Sequence, residues 1–193
     1  MHVNIEAGAN AGKSTLTSLL SSAGFPVVHE KATEVIRHGG PLPWEDYDAF
    51  QYEVLRLQKA AERKVDAQAR RLGLPSFRDR GQLSGIVYRL LLGLPVPDFF
   101  RLVDRVCADV CLLLEHVPEW RADGIRYDNL DLTKALFPVY RYVYEKAGIP
   151  VVRVPFLDRA HARMDFSLSM LGLKPPRSAA DGTFNRPPAI ILP

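Results

Sequence analysis

Eight residues near the amino end, Ala7-Gly8-Ala9-Asn10-Ala11-Gly12-Lys13-Ser14, constrain this chain more than any others. They fit the pattern G-x-x-x-x-G-K-[ST], with Ala7 in place of the first glycine, a difference of one methyl group. The β-favouring run Val3-Asn4-Ile5-Glu6 precedes them, and a helical pattern from Lys13 to Ser22 follows. A strand, a tight loop and a helix in that order let loop amides and the positive end of a helix dipole cradle phosphate oxygens. In that setting Gly8, Ala9, Asn10 and Ala11 line the cradle and Gly12 permits close backbone approach. Lys13 reaches the β- and γ-phosphates, Ser14 ligates Mg²⁺ through its hydroxyl, and Thr15 adds a contact to the α-phosphate. The expected ligand is a nucleoside triphosphate with Mg²⁺.

The rest of the chain alternates strand and helix signals. Val27-Val28-His29 reads as a second strand ending at Glu30, and a long helix is expected over residues 45–72. Leu74-Pro75-Ser76-Phe77 is a third strand weakened by Pro75, with Arg78-Asp79-Arg80-Gly81 after it. Helices are expected over 84–92 and 98–106. Val110-Cys111-Leu112-Leu113-Leu114 is a continuous apolar run of the kind parallel sheets bury on both faces. A helix over 130–147, a strand at Val151-Val152-Arg153-Val154 and a helix from Asp158 to Leu171 complete the pattern. This predicts a three-layer α/β fold, a five-stranded, mostly parallel sheet with helices on both faces. The domain is expected over residues 1–173, with a lid at about 117–128. Residues 174–193, which hold five of the 15 prolines, read as an irregular tail.

Composition narrows the class. With 193 residues, 47% hydrophobic and 24% charged, the chain is sized for one folded domain. No uncharged apolar run approaches the ~20 residues of a membrane helix. Cys107 and Cys111 are too few for a disulfide framework and lack the second pair a zinc site needs, so they read as buried thiols in a cytoplasmic protein. The net charge of +3 suits an anionic small molecule, and no stacking motif or arginine-glycine run argues for nucleic acid.

Further motifs sort the nucleotide. Guanine-reading proteins carry Asn/Thr-Lys-x-Asp, whereas Thr133-Lys134-Ala135-Leu136 lacks the aspartate, so adenine, and hence ATP, is expected. Leu112-Leu113-Leu114-Glu115 mimics an ATPase acid pair with a single acid, which reads either as a solvated strand end or as a catalytic group. Phe156, after the fifth strand, either walls the adenine or caps the core. Trp44, Tyr47 and Gln51, with Arg37-His38, either line an acceptor pocket or form helix surface.

Several of these pieces, taken in order, resemble a known family. Gly12-Lys13-Ser14-Thr15-Leu16, Val27-Val28-His29-Glu30 with Glu34-Val35-Ile36, Phe50-Gln51, Asp79-Arg80-Gly81 and Leu91-Leu92-Gly93-Leu94-Pro95-Val96-Pro97 are spread over residues 1–170. They resemble small P-loop kinases of the thymidylate and deoxynucleoside kinase kind, and more closely the bacterial AAA ATPase/kinase domain related to ribosylnicotinamide kinase. The resemblance implies that Asp79 supports Mg²⁺, that Arg80 contacts transferring phosphate or substrate, and that Glu30 accepts a proton from the attacking hydroxyl; read without it, Asp79 is an Arg-paired structural acid, Arg80 a salt-bridge partner of a neighbouring carboxylate, and Glu30 a surface acid capping the following helix. The resemblance further implies a lid whose Arg121 and Arg126 close over the nucleotide. The departures are Ala7, Arg78 ahead of the Asp-Arg pair, Glu115-His116 where the family tends to have prolines, and the tail. The implied activity is ATP-dependent phosphoryl transfer to a small nucleoside- or nucleotide-like acceptor, and a homodimer is compatible with it. A hydrolytic ATPase and a non-catalytic nucleotide-binding module remain as alternatives.

Overall fold

A computed structural model describes residues 1–105, 107–117 and 130–176. The elements in chain order are β1 (His2–Glu6), α1 (Lys13–Ser22), β2 (Val27–Val28), α2 (Ala32–Arg37), α3 (Tyr47–Leu72), β3 (Ser76–Asp79), α4 (Ser84–Leu91), α5 (Pro97–Phe100), β4 (Val110–Leu114), α6 (Leu130–Lys146), β5 (Val151–Val154) and α7 (Ala160–Met170). The five strands form one sheet in the order β2-β3-β1-β4-β5, and every pairing is parallel. β1 lies at the centre, so the loop that leaves its carboxyl end emerges where open α/β sheets gather ligands.

Side-chain alternation separates two cores. Val3 and Ile5 of β1, Phe77 of β3 and Val110, Leu112 and Leu114 of β4 pack on Leu16 and Leu20 of α1 and Met164 and Leu168 of α7. On the opposite face Cys111 and Leu113 meet Leu55 of α3, Ile86 and Val87 of α4, Phe99 of α5 and Leu136, Tyr140, Val143 and Tyr144 of α6. β4 is buried on both sides, which accounts for its unbroken apolar run.

The local signals explain most boundaries. Asp46 caps α3 by accepting from Ala49 N at 2.9 Å, and Gly73, at φ +66, closes it. The third strand begins at Ser76 and runs to Asp79, so Arg78 and Asp79 belong to the ladder and not to the loop after it. Pro75 has no amide hydrogen, and the ladder starts only beyond it, with Ser76 N donating to Met1 O. The helix expected over 98–106 is confined to Pro97–Phe100. Leu102 N and Val103 N donate three residues back, to Phe99 O and Phe100 O, so the segment tightens as Phe99 sinks into the core. The bounds of α2 and the early end of β2 at Val28 were not legible in the sequence pattern. The segment 118–129, which includes Arg121, Arg126 and most of the expected lid, and the tail from 177 onward lie outside the described residues. Among the described residues no helix is long and apolar enough to cross a membrane.

Candidate active site

The phosphate loop takes the shape its residues predict. Asn10, at φ +56, and Gly12, at φ +80, are both left-handed, and Gly12 caps α1 with no side-chain hydrogen bond to its first turn. That turn carries no acidic residue, so its amides and the helix dipole face the loop uncountered. Lys13 is buried and folds its ammonium over the loop, donating to Gly8 O at 2.6 Å and Ala7 O at 3.2 Å.

Asp79 stands opposite Ser14. Ser14 Oγ donates to Asp79 Oδ2 at 3.0 Å, and Thr17 Oγ1 lies 3.4 Å from the same oxygen. The second carboxylate oxygen, Oδ1, is buried and has no hydrogen-bond partner among the described residues. A buried carboxylate oxygen left unpaired is costly. Beside a serine hydroxyl and a phosphate cradle, it completes the hard-oxygen donor set that Mg²⁺ selects, so Ser14 and Asp79 fit the ion.

Arg80 points the other way. Its Nε donates to Glu30 Oε1 at 2.8 Å, its Nη1 to Tyr140 Oη at 2.6 Å, and the guanidinium lies 5.2 Å from the centre of the Tyr88 ring. Burial pushes the Tyr140 phenol well above its usual range, so it serves Arg80 as a neutral acceptor. Glu30 also accepts from Thr33 Oγ1 at 3.1 Å, which fixes both of its oxygens at the head of α2.

Glu30 and Arg80 form part of the wall of a cavity of about 360 Å³. Trp44, Tyr47, Tyr88 and Phe99 supply aromatic faces and Gln51 a buried amide. Of the two readings the sequence left open, Trp44, Tyr47 and Gln51 take the cavity lining, while Arg37 and His38 do not line the cavity. Its floor is tight, because a Cβ at Gly85 would fall 2.6 Å from the Phe99 ring.

A second cavity, of about 170 Å³, adjoins the loop and is lined by Gly12, Thr15, Leu16, Phe156, Leu157 and Arg163 among others. Phe156 therefore borders a space beside the phosphate loop. Glu115 is part-exposed at the strand end and braced there: it accepts from Phe156 N at 3.2 Å and pairs with Arg153. Burial pushes its carboxyl up, but these donors outweigh that and hold it below the usual carboxylate range.

Sequence reasoning missed three residues. Arg163 of α7 donates to Ala11 O at 2.7 Å and Glu115 O at 2.6 Å, tying the loop to the end of β4. No local pattern marks it, since its partners are 152 and 48 residues away. Thr17 on Asp79 is the second. Glu6 is the third, a fully buried carboxylate that accepts from Gly81 N at 2.7 Å and Tyr144 Oη at 2.6 Å. Burial raises its pKa, with Arg80 and these donors opposing. Polar residues at alternate positions of β1, Asn4 and Glu6, were the available signal. Cys107 and Cys111 are both buried, and burial pushes the Cys107 thiol up to about 11, so neither is a ready nucleophile.

Among curated proteins none matches this sequence. Solved structures do share its fold. Thymidylate kinase from Ehrlichia chaffeensis superposes with a TM-score of 0.64 at 14% identity, over 90% of this chain and 98% of that one. NadR protein in complex with NR gives 0.70 at 20% identity over 92% of this chain and 52% of that one. NadR protein in complex with NAD and AMP-PNP gives 0.67 at 21%, over 90% and 50%. The chain spans about half the length of the NadR chains it matches. The parallel sheet with its phosphate loop is thus a fold shared with these proteins. The sequence profile of the AAA domain matches residues 3–162, and the chain belongs to that family.

Proposed function

We propose that this protein is an ATP-dependent phosphotransferase acting on a small, hydroxyl-bearing, nucleoside- or nucleotide-like acceptor. The observation that carries the reading is the division of labour between two consecutive residues. Asp79 turns to Ser14 and the phosphate loop, and Arg80 turns to Glu30 and an aromatic cavity large enough for an acceptor. A purely hydrolytic ATPase has no use for the second half of that arrangement.

Phosphoryl transfer asks a protein for positioning and charge compensation more than for covalent chemistry. Lys13 and the loop amides bind the triphosphate, and Phe156 and Arg163 shape the space for its base. Ser14 and Asp79 would hold Mg²⁺, which when bound neutralises phosphate charge. Arg80 fixes Glu30, whose carboxylate receives the proton released by the acceptor hydroxyl as it attacks. Trp44, Tyr47 and Tyr88 offer ring faces to a planar acceptor. The arginines at 121 and 126 are assigned the charge compensation that accompanies closure, as the resemblance implies.

The test is ATP turnover against a panel of nucleosides, nucleoside monophosphates and ribosylated heterocycles, read as phosphorylated product. Acceptor-dependent product formation is the expected result. ADP release at one rate with every acceptor and with none would replace this reading with the hydrolytic one. Tight ATP binding without any ADP would leave a regulatory module.

A further inference from the structure

The turn after Asp79 is built in a conformation an arginine does not choose for itself. Arg80 has φ +70, in the left-handed region that favours glycine. Such a residue persists only where its surroundings over-determine the backbone, and functional sites are where this happens. Each backbone group of the turn has its own anchor. Arg80 N donates to Ile5 O at 3.1 Å, Arg80 O accepts from Gln58 Nε2 at 2.9 Å, and Gly81 N donates to Glu6 Oε1 at 2.7 Å. The turn has no slack either, because a Cβ on Gly81 would lie 1.8 Å from Asn4 Nδ2.

Two of the three anchors are neighbours in β1, and the second of them immediately precedes the phosphate loop. Glu6 has no solvent exposure. Its side chain is aimed by donors: Ser84 Oγ lies 2.8 Å and 2.9 Å from its two oxygens, and Tyr144 Oη donates to it at 2.6 Å. Asn4 Nδ2 donates to Tyr144 Oη at 2.8 Å, so the phenol's single proton is directed at the carboxylate. A gap that only needed filling would suit an apolar side chain, since a fully buried carboxylate is costly. The acceptor is kept because an amide hydrogen has to be held.

What it holds decides where Arg80 points. With the turn left-handed, the guanidinium reaches Glu30 and Tyr140 together. With a negative φ the side chain would leave the turn in another direction and lose both partners.

We propose that Glu6 is a positioning residue: by clamping the Gly81 amide it keeps Arg80 left-handed and so places the guanidinium on Glu30 in the wall of the acceptor cavity. The kinetic consequence rests on the phosphotransfer reading; the structural consequence does not. The first measurement is therefore a stability cycle in urea. Glu6→Met removes the acceptor at similar size, and it is made in wild-type, Arg80→Met and Arg80→Gly backgrounds, the methionine removing the charge while keeping a side chain at φ +70. The drop in midpoint should be similar in the first two and less than half as large with Arg80→Gly, because glycine adopts φ +70 without strain. Equal drops in all three would overturn the proposal. In turnover assays Glu6→Met should lower kcat at least tenfold while KM for ATP changes less than twofold, and Glu6→Gln, which keeps a carbonyl acceptor, should restore most of kcat. KM for ATP rising in step with the fall in kcat would overturn it. Should Glu6→Met fail to fold, exchange of the Gly81 amide in the wild-type protein decides: exchange only through global unfolding supports the clamp, and exchange at surface-loop rates refutes it. A wild-type protein that phosphorylates no acceptor would remove the phosphotransfer reading and leave the stability cycle as the judge of Glu6.

Discussion

Val3 and Ile5 leave β1 for a dry core shared with α1 and α7, whereas Asn4 and Glu6, on the same strand, enter a layer of hydrogen bonds beneath α3, α4 and α6. β3 repeats the contrast. Phe77 joins the dry side, while Arg78 on the other side donates to Cys107 O, pairs with Asp66 Oδ2 at 2.8 Å and lies 3.3 Å from Glu62 Oε2. Gln58 and Gln82 saturate Glu62 from either side, at 2.8 Å and 2.7 Å. One face holds its helices mainly by area and shape, with the α1 hydroxyls on Asp79 and Arg163 of α7 as its few polar ties. The other trades part of its apolar burial for directed bonds, and directed bonds set where Arg80 and the acceptor cavity sit. Asp79 turns toward the first face and Arg80 toward the second, so in the proposed reaction donor and acceptor would be addressed from opposite sides of the sheet. Non-directional packing suffices behind a loop whose own backbone makes the binding site. A cavity built from side chains needs its walls held in fixed orientation.

The sharpest break in this comparison is expected from the donor side. Lys13→Ala should reduce turnover by about a thousandfold and weaken ATP binding in calorimetry, with no change in the acceptor cavity. Unchanged turnover would remove the phosphate loop from the reaction.

The next largest effect separates the two faces by stability. Arg78→Met should cost about 3–5 kcal/mol in urea denaturation, because it strands Glu62 in the interior, and pairing it with Glu62→Met should recover most of that loss. Leu112→Ala on the dry face should cost about 2–5 kcal/mol, with no second truncation able to recover it. Recovery on both faces, or on neither, would erase the distinction.

Smaller, and confined to the acceptor side, Glu30→Gln should slow transfer by about a hundredfold and leave ATP affinity nearly intact. Parallel losses in rate and ATP affinity would place Glu30 with the donor.

The smallest effect is a pH dependence. Burial alone would raise the Asp66 pKa, but His2, Arg78 and Ser76 outweigh it and hold the carboxyl well below its ordinary value of 3.8. The ionised form therefore stabilises the fold at neutral pH, and that contribution drains away as the pH falls past 3.8 and on through the acid range. Asp66→Asn should lower the urea midpoint at pH 7, with the gap to wild type closing in acid. Glu6 and Glu62 have the opposite sign: burial raises both above 4.5, so holding them ionised costs stability at neutral pH, a cost relieved as the pH falls toward that value. A gap that widened in acid would show that Asp66 is not the stabilising anion of the polar face.

Much of the donor side was legible in the sequence because its parts are contiguous. Residues 7–15 carry the loop, its lysine and its hydroxyls in one stretch, and the strand before and helix after it follow from short-range pattern. Asp79-Arg80 was legible as a motif, but its placement partly in the ladder was not, since Pro75 only shows where pairing cannot occur. Phe156, Trp44, Tyr47 and Gln51 were readable as candidates, yet equally as core or surface until the fold brought them to their cavities. The Arg163 and Glu6 contacts join residues up to 152 positions apart, and no periodicity encodes such a contact.

By itself the amino-acid sequence determined the parallel α/β architecture, the phosphate loop and the expectation of a triphosphate ligand, because each follows from local stereochemistry and from alternating burial. Only the tertiary structure decided which way Asp79 and Arg80 turn, that Glu30 is held by Arg80, and that Glu6 grips the turn after Asp79 at Gly81. Those are orientations of side chains across strand and helix contacts, and they exist only once the sheet order β2-β3-β1-β4-β5 has put distant segments side by side.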